Sequence, residues 1–258
     1  MGDTGVILTE VSDGVAVVTL NRPERRNALN GELIRGIRDT MVALDGDDGV
    51  SVIVLTGSDP AFCAGVDLKE LGAGRNLVAS DGAAAPGRPW ARTTKPVVGA
   101  VNGPAVTGGF EIALQCDFLV ASERATFGDT HARVGLLPGW GLSVLLPQAI
   151  GVRRAKEMSL TGNFVSAGEA LRLGLVNHVV PHDELLPTAR KLAVDIAGND
   201  QRAVRALLEE YDEVVSTTLA DGLAIEAAKA AAWNSDRSTT ADVERRRQAV
   251  IDRGRSQL

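Results

Sequence analysis

Short, dense apolar runs alternate with helically periodic segments along the first half of this chain, and no other feature restricts its possible folds as much. Residues 15–20, Val-Ala-Val-Val-Thr-Leu, form a largely β-branched run that leaves through Asn21-Arg22-Pro23. Residues 50–56 make a second run, 96–101 a third and 118–121 a fourth. Apolar runs bounded by Gly, Pro and Asn read as strands buried on both faces. Between the first two, Asn30 precedes Leu33, Ile37, Met41 and Leu44 at helical spacing, so Asn30 should cap a helix. Asp67 opens a short helical stretch through Leu71, and 108–116 reads as another helix. Strands and helices in alternation imply a largely parallel α/β core with crossover connections.

After about residue 140 the pattern turns mostly helical. Ser166 and Glu169 have capping spacing, and 176–180 is one last strand-like run. Segments 183–197, 201–215, 218–234 and 240–253 then read as successive helices, an appendage to the α/β core. Residues 72–92 are rich in Gly, Ala, Ser, Pro and Arg with little periodicity, which is the composition of a surface loop.

Composition removes several function classes. A net charge of −6 argues against nucleic acid as the main partner, although a small polyanion could still bind at a local basic patch. Cys63 and Cys116 are too few for a disulfide framework. His131, His178 and His182 show no zinc-ligand spacing, so no metal site is expected. The first ten residues lack a basic region with an apolar core, and no run reaches the roughly 20 apolar residues of a membrane helix. A cytoplasmic protein without membrane attachment is expected. No G-x-x-x-x-G-K-[ST], no G-x-G-x-x-G after a strand and no G-x-S-x-G occurs, which disfavours nucleotide hydrolysis, dinucleotide binding and serine hydrolysis.

Two glycine-flanked turns remain. They are Ala61-Phe62-Cys63-Ala64-Gly65-Val66-Asp67-Leu68 and Asn102-Gly103-Pro104-Ala105-Val106-Thr107-Gly108-Gly109-Phe110-Glu111. Each lies where the chain leaves a strand and enters a helix, a place where unpaired N–H groups favour negative charge.

In their surroundings these turns resemble the enoyl-CoA hydratase/isomerase, or crotonase, family. The resemblance starts at Val17-Val18-Thr19-Leu20-Asn21-Arg22-Pro23 and Asn27-Ala28-Leu29 and continues through both turns. Lys95-Pro96-Val97-Val98-Gly99, Cys116-Asp117, Phe127-Gly128, Gly135-Leu136-Leu137-Pro138-Gly139 and Ala170-Leu171-Arg172-Leu173-Gly174 follow in order. It implies an α/β fold, a crotonase-like spiral of ββα units over residues 1–195, with a C-terminal helical region over 196–258 that packs on the core and on neighbouring subunits. It implies a homotrimer, or a dimer of trimers forming a hexamer, and an acyl-CoA thioester substrate with no separate cofactor. The implied activity is enoyl-CoA hydratase, a lyase of fatty acid metabolism adding water across the 2,3-double bond of a 2-enoyl-CoA. Isomerisation or another crotonase reaction with Glu111 as single base stays open, as does a non-catalytic acyl-CoA-binding homologue.

The resemblance also suggests site residues. The oxyanion hole for the thioester oxygen maps to the backbone N–H groups of Ala64 and Gly108, with Ala61, Val66, Asp67, Leu68 and Gly109 around the substrate. Glu111 maps to the first of two catalytic carboxylates. The second falls at His131, within Phe127-Gly128-Asp129-Thr130-His131-Ala132-Arg133, which contains no glutamate. His131 could replace the missing acid, line the pocket while Glu111 acts alone, or be a polar neighbour only. Arg25 and Arg26 are the candidates for the phosphates of CoA. Leu71, Leu77, Val78, Trp90 and Trp140 could line the acyl pocket, with Trp140 equally suited to the core.

Overall fold

The computed structural model describes residues 5–72, 87–235 and 237–256. The chain runs β1 (Ile7–Ser12), β2 (Val15–Leu20), α1 (Gly31–Asp45), β3 (Val52–Gly57), α2 (Leu68–Gly72), β4 (Val97–Val101), β5 (Ala105–Val106), α3 (Gly108–Leu114), β6 (Phe118–Ser122) and β7 (Thr126–Gly128). It continues through α4 (His131–Val134), α5 (Leu142–Ile150), α6 (Val152–Thr161), β8 (Val165–Ser166), α7 (Ala167–Leu173), β9 (His178–Val180) and α8 (Leu185–Ala197). The last helices are α9 (Gln201–Val214), α10 (Leu219–Ser235) and α11 (Arg237–Ser256).

A six-stranded sheet, ordered β1-β2-β3-β4-β6-β9, is parallel except for the β1–β2 hairpin. That hairpin turns on Asp13-Gly14, both at positive φ, the conformation that matches the twist of paired strands. Side chains of the central strands alternate between two cores. Ala16, Val18, Leu20, Ile53 and Leu55 pack on one face with Leu33, Ile37 and Met41 of α1. Val15, Val17, Val52 and Val54 pack on the other with Leu185, Ala189 and Ala193 of α8. Apolar side chains are therefore wanted at every position, and the period of two is hidden in an unbroken apolar run.

A second, smaller sheet joins β5, β7 and β8, with β5 parallel to β7. It carries the segments that become the site. The Asn30 side chain accepts from Leu33 N–H at 2.8 Å, and the Ser166 hydroxyl accepts from Glu169 N–H at 3.3 Å, so both caps form as the sequence indicates. Lys95 is buried, and its Nζ donates to the carbonyls of Leu44 and Asp47 at 2.7 and 2.5 Å, capping the C-terminal end of α1.

The chain divides into two compact units, Met1–Arg205 and Ala206–Leu258. Within the second, Lys229 of α10 pairs with Glu213 at 2.7 Å and Glu209 at 3.7 Å. Leu207, Tyr211, Val215, Leu219 and Leu223 of that unit are exposed.

Candidate active site

The turn after β3 is stitched to its neighbours on both sides. Leu29 forms an isolated parallel bridge with Val66: its N–H donates to Gly65 O at 2.8 Å, and its carbonyl accepts from Asp67 N–H at 2.9 Å. Because Leu29 bonds the two residues flanking Val66, the N–H of Val66 itself points the other way. Cys63 bridges Ala105 in the same manner, with Cys63 N–H to Pro104 O at 3.1 Å and Val106 N–H to Cys63 O at 2.9 Å. The Asn27 side chain, fully buried, donates to the carbonyls of Ser58, Ala61 and Phe62 and so holds the mouth of the turn.

Glycine is required where this turn meets the start of α3. A Cβ on Gly109 would lie 2.2 Å from the Cys63 carbonyl oxygen. A Cβ on Gly65, at φ +87°, would lie 2.8 Å from Val106 O and 3.5 Å from Gly108 N. One on Gly108 would fall 3.1 Å from the Leu29 side chain and 3.8 Å from Val66 N. Val66 and Gly108 are thus adjoining backbone positions, and Gly108, the first residue of α3, has an N–H that precedes the helix's own hydrogen bonds.

The structure corrects one expectation here. The Ala64 N–H is not turned toward Gly108 as a spare donor; it donates to the Arg26 carbonyl at 3.0 Å. The φ of Gly65 swings the chain, so the N–H two residues later occupies the position next to Gly108. The same bond fastens the exposed Arg25-Arg26 segment to the turn. Asp67 is held by Arg22 at 3.4 Å and accepts from Lys69 N–H at 3.2 Å, while the Leu68 side chain is exposed. Ala61 is buried, its carbonyl taken by Asn27 and Asn102.

Glu111 sits in the first turn of α3 and is 3% exposed. Its Oε1 accepts from Gly139 N–H at 3.0 Å and Trp140 N–H at 2.7 Å, leaving Oε2 to face His131 Nε2 at 3.7 Å. Burial pushes the Glu111 carboxyl above its usual range, against the lowering effect of the Trp140 N–H and the His131 charge. His131 is buried at the start of α4, and its Nδ1 lies 2.7 Å from Asp129 Oδ1. The His131 N–H donates to the same oxygen at 3.1 Å.

The segment bearing His131 is locked to the residue before Gly108. Thr107 N–H donates to Gly128 O at 2.8 Å, Thr130 N–H donates to Thr107 Oγ1 at 3.2 Å, and the two hydroxyls are 2.5 Å apart. Thr107 itself is held at φ 53°. The carboxylate, the imidazole and the backbone donors therefore share one rigid frame.

The family profile described as enoyl-CoA hydratase/isomerase matches residues 10–250, nearly the whole chain. The chain belongs to the enoyl-CoA hydratase/isomerase family. Among curated relatives, a probable peroxisomal enoyl-CoA hydratase 1 of Arabidopsis thaliana is 40% identical over 87% of this chain and 84% of its own length. A crotonyl-CoA hydratase of Syntrophomonas wolfei is 37% identical over 86% of each. Among solved structures, an enoyl-CoA hydratase of Mycobacterium tuberculosis is 50% identical with a TM-score of 0.76, covering 90% of this chain and all of that one. One from Bacillus anthracis is 31% identical with a TM-score of 0.83, covering 95% and 96%. The mixed α/β spiral with C-terminal helices is the fold these hydratases share with this family member.

The remaining expected site residues separate by role. Trp140 and Trp90 belong to the hydrophobic core, and Trp140 meets Glu111 through its backbone N–H. Leu77 and Val78 lie outside the described residues, as does the side chain of Leu71. Asp129 also reaches the site: its carboxylate curls onto the His131 ring, which a position two residues away in sequence gives no sign of. Among the described residues no cluster of His, Cys, Asp and Glu suits a metal ion, and no helix is long and apolar enough to cross a membrane.

Proposed function

We propose that this family member is an enoyl-CoA hydratase in which Glu111 and His131 share the acid/base work and Val66 and Gly108 supply the oxyanion donors. The observation that carries the reading is the separation of 3.7 Å between Glu111 Oε2 and His131 Nε2. That is too long for a direct hydrogen bond, yet one water oxygen can lie about 2.8 Å from both atoms. The water attacks C3 of the 2-enoyl thioester, and the π electrons move toward the thioester oxygen. One of the two side chains takes the water's proton and the other delivers its own proton to C2. The reaction consumes only water and substrate, so no cofactor is required beyond the CoA of the substrate.

Negative charge on the thioester oxygen is met by the N–H groups of Val66 and Gly108. Fixed donors aimed at a developing oxyanion are worth about 3–4 kcal/mol each in a site closed to water. The exposed Arg25 and Arg26 are suited to the CoA phosphates, being tied through the Arg26 carbonyl to the turn that holds the thioester. Assembly into trimers, or pairs of trimers, belongs to the same proposal and is supported by the exposed apolar residues of the second unit.

The test is hydration of short- and long-chain 2-enoyl-CoA by purified protein, followed by loss of the enoyl-thioester absorbance, alongside Glu111→Gln and His131→Ala. Both substitutions should lower kcat by about 10²–10⁴-fold. Hydration undiminished in Glu111→Gln overturns the mechanism. Conversion of 3-enoyl-CoA with no hydration at all makes the enzyme an isomerase.

A further inference from the structure

We propose that Asp129 is a positioning residue for this reaction: it holds the proton of His131 on Nδ1 and so dedicates Nε2 to the water facing Glu111. The inference deepens the hydratase reading and rests on it. Its ground is the way the carboxylate is built in. Asp129 follows β7 directly and is 1% exposed. Its Oδ1 accepts both from the His131 backbone N–H at 3.1 Å and from Nδ1 at 2.7 Å. Ser159 of α6 lies close enough to the same carboxylate to favour its charged form. Burial alone would raise the Asp129 carboxyl, but the bonds from His131 and the nearby Ser159 outweigh it, so its pKa falls below the usual value and the anion persists.

A carboxylate has acceptor sites only, so the nitrogen bonded to it must carry hydrogen. Neutral imidazole has one N–H, and fixing it on Nδ1 leaves Nε2 with its lone pair toward the site. When Nε2 takes a proton, the adjacent anion stabilises the resulting imidazolium. Glu111 from α3 and Asp129 from the same segment are the acidic groups facing the ring. Arg133, the nearest basic residue in sequence, is turned away to Thr161 O and Asn163 Oδ1.

The charge arithmetic explains how such a pair can occupy the place of a protonated carboxyl. An imidazolium beside an aspartate is neutral overall, and so is a carboxylic acid. With Glu111 ionised, the three groups carry one net negative charge; moving the shared proton from His131 to Glu111 leaves that total unchanged. A substitution of His131 for an acid without Asp129 would instead have added a positive charge to a buried site.

The experiment is a double-mutant cycle in kcat for 2-enoyl-CoA hydration with Asp129→Ala, His131→Ala and the double variant, with Asp129→Asn and nitrogen NMR of the His131 ring alongside. Asp129→Ala should lower kcat about 10- to 100-fold with KM little changed, and should cost almost nothing more once His131 is absent. The limb of the pH–kcat profile that disappears in His131→Ala should move to lower pH in Asp129→Asn, and the ring should lose its Nδ1–H tautomer in Asp129→Ala. Equal losses in wild-type and His131→Ala backgrounds, or an unchanged tautomer in Asp129→Ala, overturn the proposal and make Asp129 structural. If wild-type protein hydrates no enoyl-CoA, the hydratase reading fails by itself, and the ring spectra still decide whether Asp129 sets the tautomer. Should Asp129→Ala not fold, Asp129→Asn carries the test through the same spectra and profile.

Discussion

Replacing Gly65 by alanine tests the oxyanion assignment through geometry, without touching either donor. The added Cβ would lie 2.8 Å from Val106 O. A carbon–oxygen contact of this kind settles at about 3.3 Å or more, so something must move by about 0.5 Å. Val106 cannot yield cheaply, because its N–H is bonded to Cys63 O and β5 is paired with β7. The movement therefore falls on the turn, and Val66 N–H is its next donor. Backbone strain adds to this, since alanine at φ +87° costs about 1–3 kcal/mol. A misplacement of this size at the reacting centre should lower kcat about 10- to 100-fold, given that 1 Å can cost roughly 10²-fold. KM should change little, because charge reaches the thioester oxygen mainly in the transition state. Steady-state hydration rates together with urea unfolding separate the two effects. A variant destabilised by about 2 kcal/mol yet hydrating at the wild-type kcat would refute the placement of the oxyanion between Val66 and Gly108.

The buried carboxyl proposed as the acid/base should also weaken the fold. Burial raises Glu111 above its usual value, so the folded chain holds that proton more tightly than the unfolded chain. Stability contributed by the protonated form is then lost as pH rises beyond about 4.3, the value of a free glutamate. Glu111→Gln should therefore melt above wild type at neutral pH, with the gap closing toward pH 4; a lower melting temperature at every pH would contradict this. The two thiols should be inert. Burial pushes Cys63 up to about 12 and also raises Cys116, so native protein should resist alkylation by N-ethylmaleimide and keep its activity until it is unfolded. Rapid labelling of Cys63 in folded protein would show that the site opens far more than the packing of Cys63 against Gly109 allows.

The sequence disclosed the fold where local and global demands coincide. β2, β3, β4 and β6 are apolar at nearly every position because both faces of the large sheet are covered, and such runs need no partner to be recognised. β5 and β8 have two residues each and β7 has three, too few for any period; β5 and β7 exist because the second glycine turn lies beside Phe127-Gly128, and β8 because Val165-Ser166 returns against β7. β1 was missed for a different reason: it is an edge strand with its second half exposed, and Thr9, Glu10 and Ser12 dilute its pattern. In the candidate site, residue type singled out Glu111 and His131, which the fold brings to 3.7 Å, but not which amide lies beside Gly108. That choice between Ala64 and Val66 is made by one positive φ and one bridge to Leu29, neither of which is a property of residue type. Asp129 was hidden likewise, since its role comes from a turn that folds the carboxylate back over the next residue but one.

Glu111 and His131 stand on segments of unequal burial. Gly108 through Ala113 are all buried in α3, so every neighbour of Glu111 along that helix is committed to the core. Ala132, Arg133, Val134 and Gly135, which follow His131, all face outward, and Leu137 is 88% exposed. A substitution that alters the α3 side must repack the interior, whereas one among the exposed residues after His131 leaves the bonds that Gly128 and Thr130 make with Thr107 in place. Divergence of reaction type in such a scaffold would accordingly accumulate on the outer side, with one acid kept constant and its counterpart exchanged. The proposed pair of His131 and Asp129, itself buried, sits where that outer segment begins.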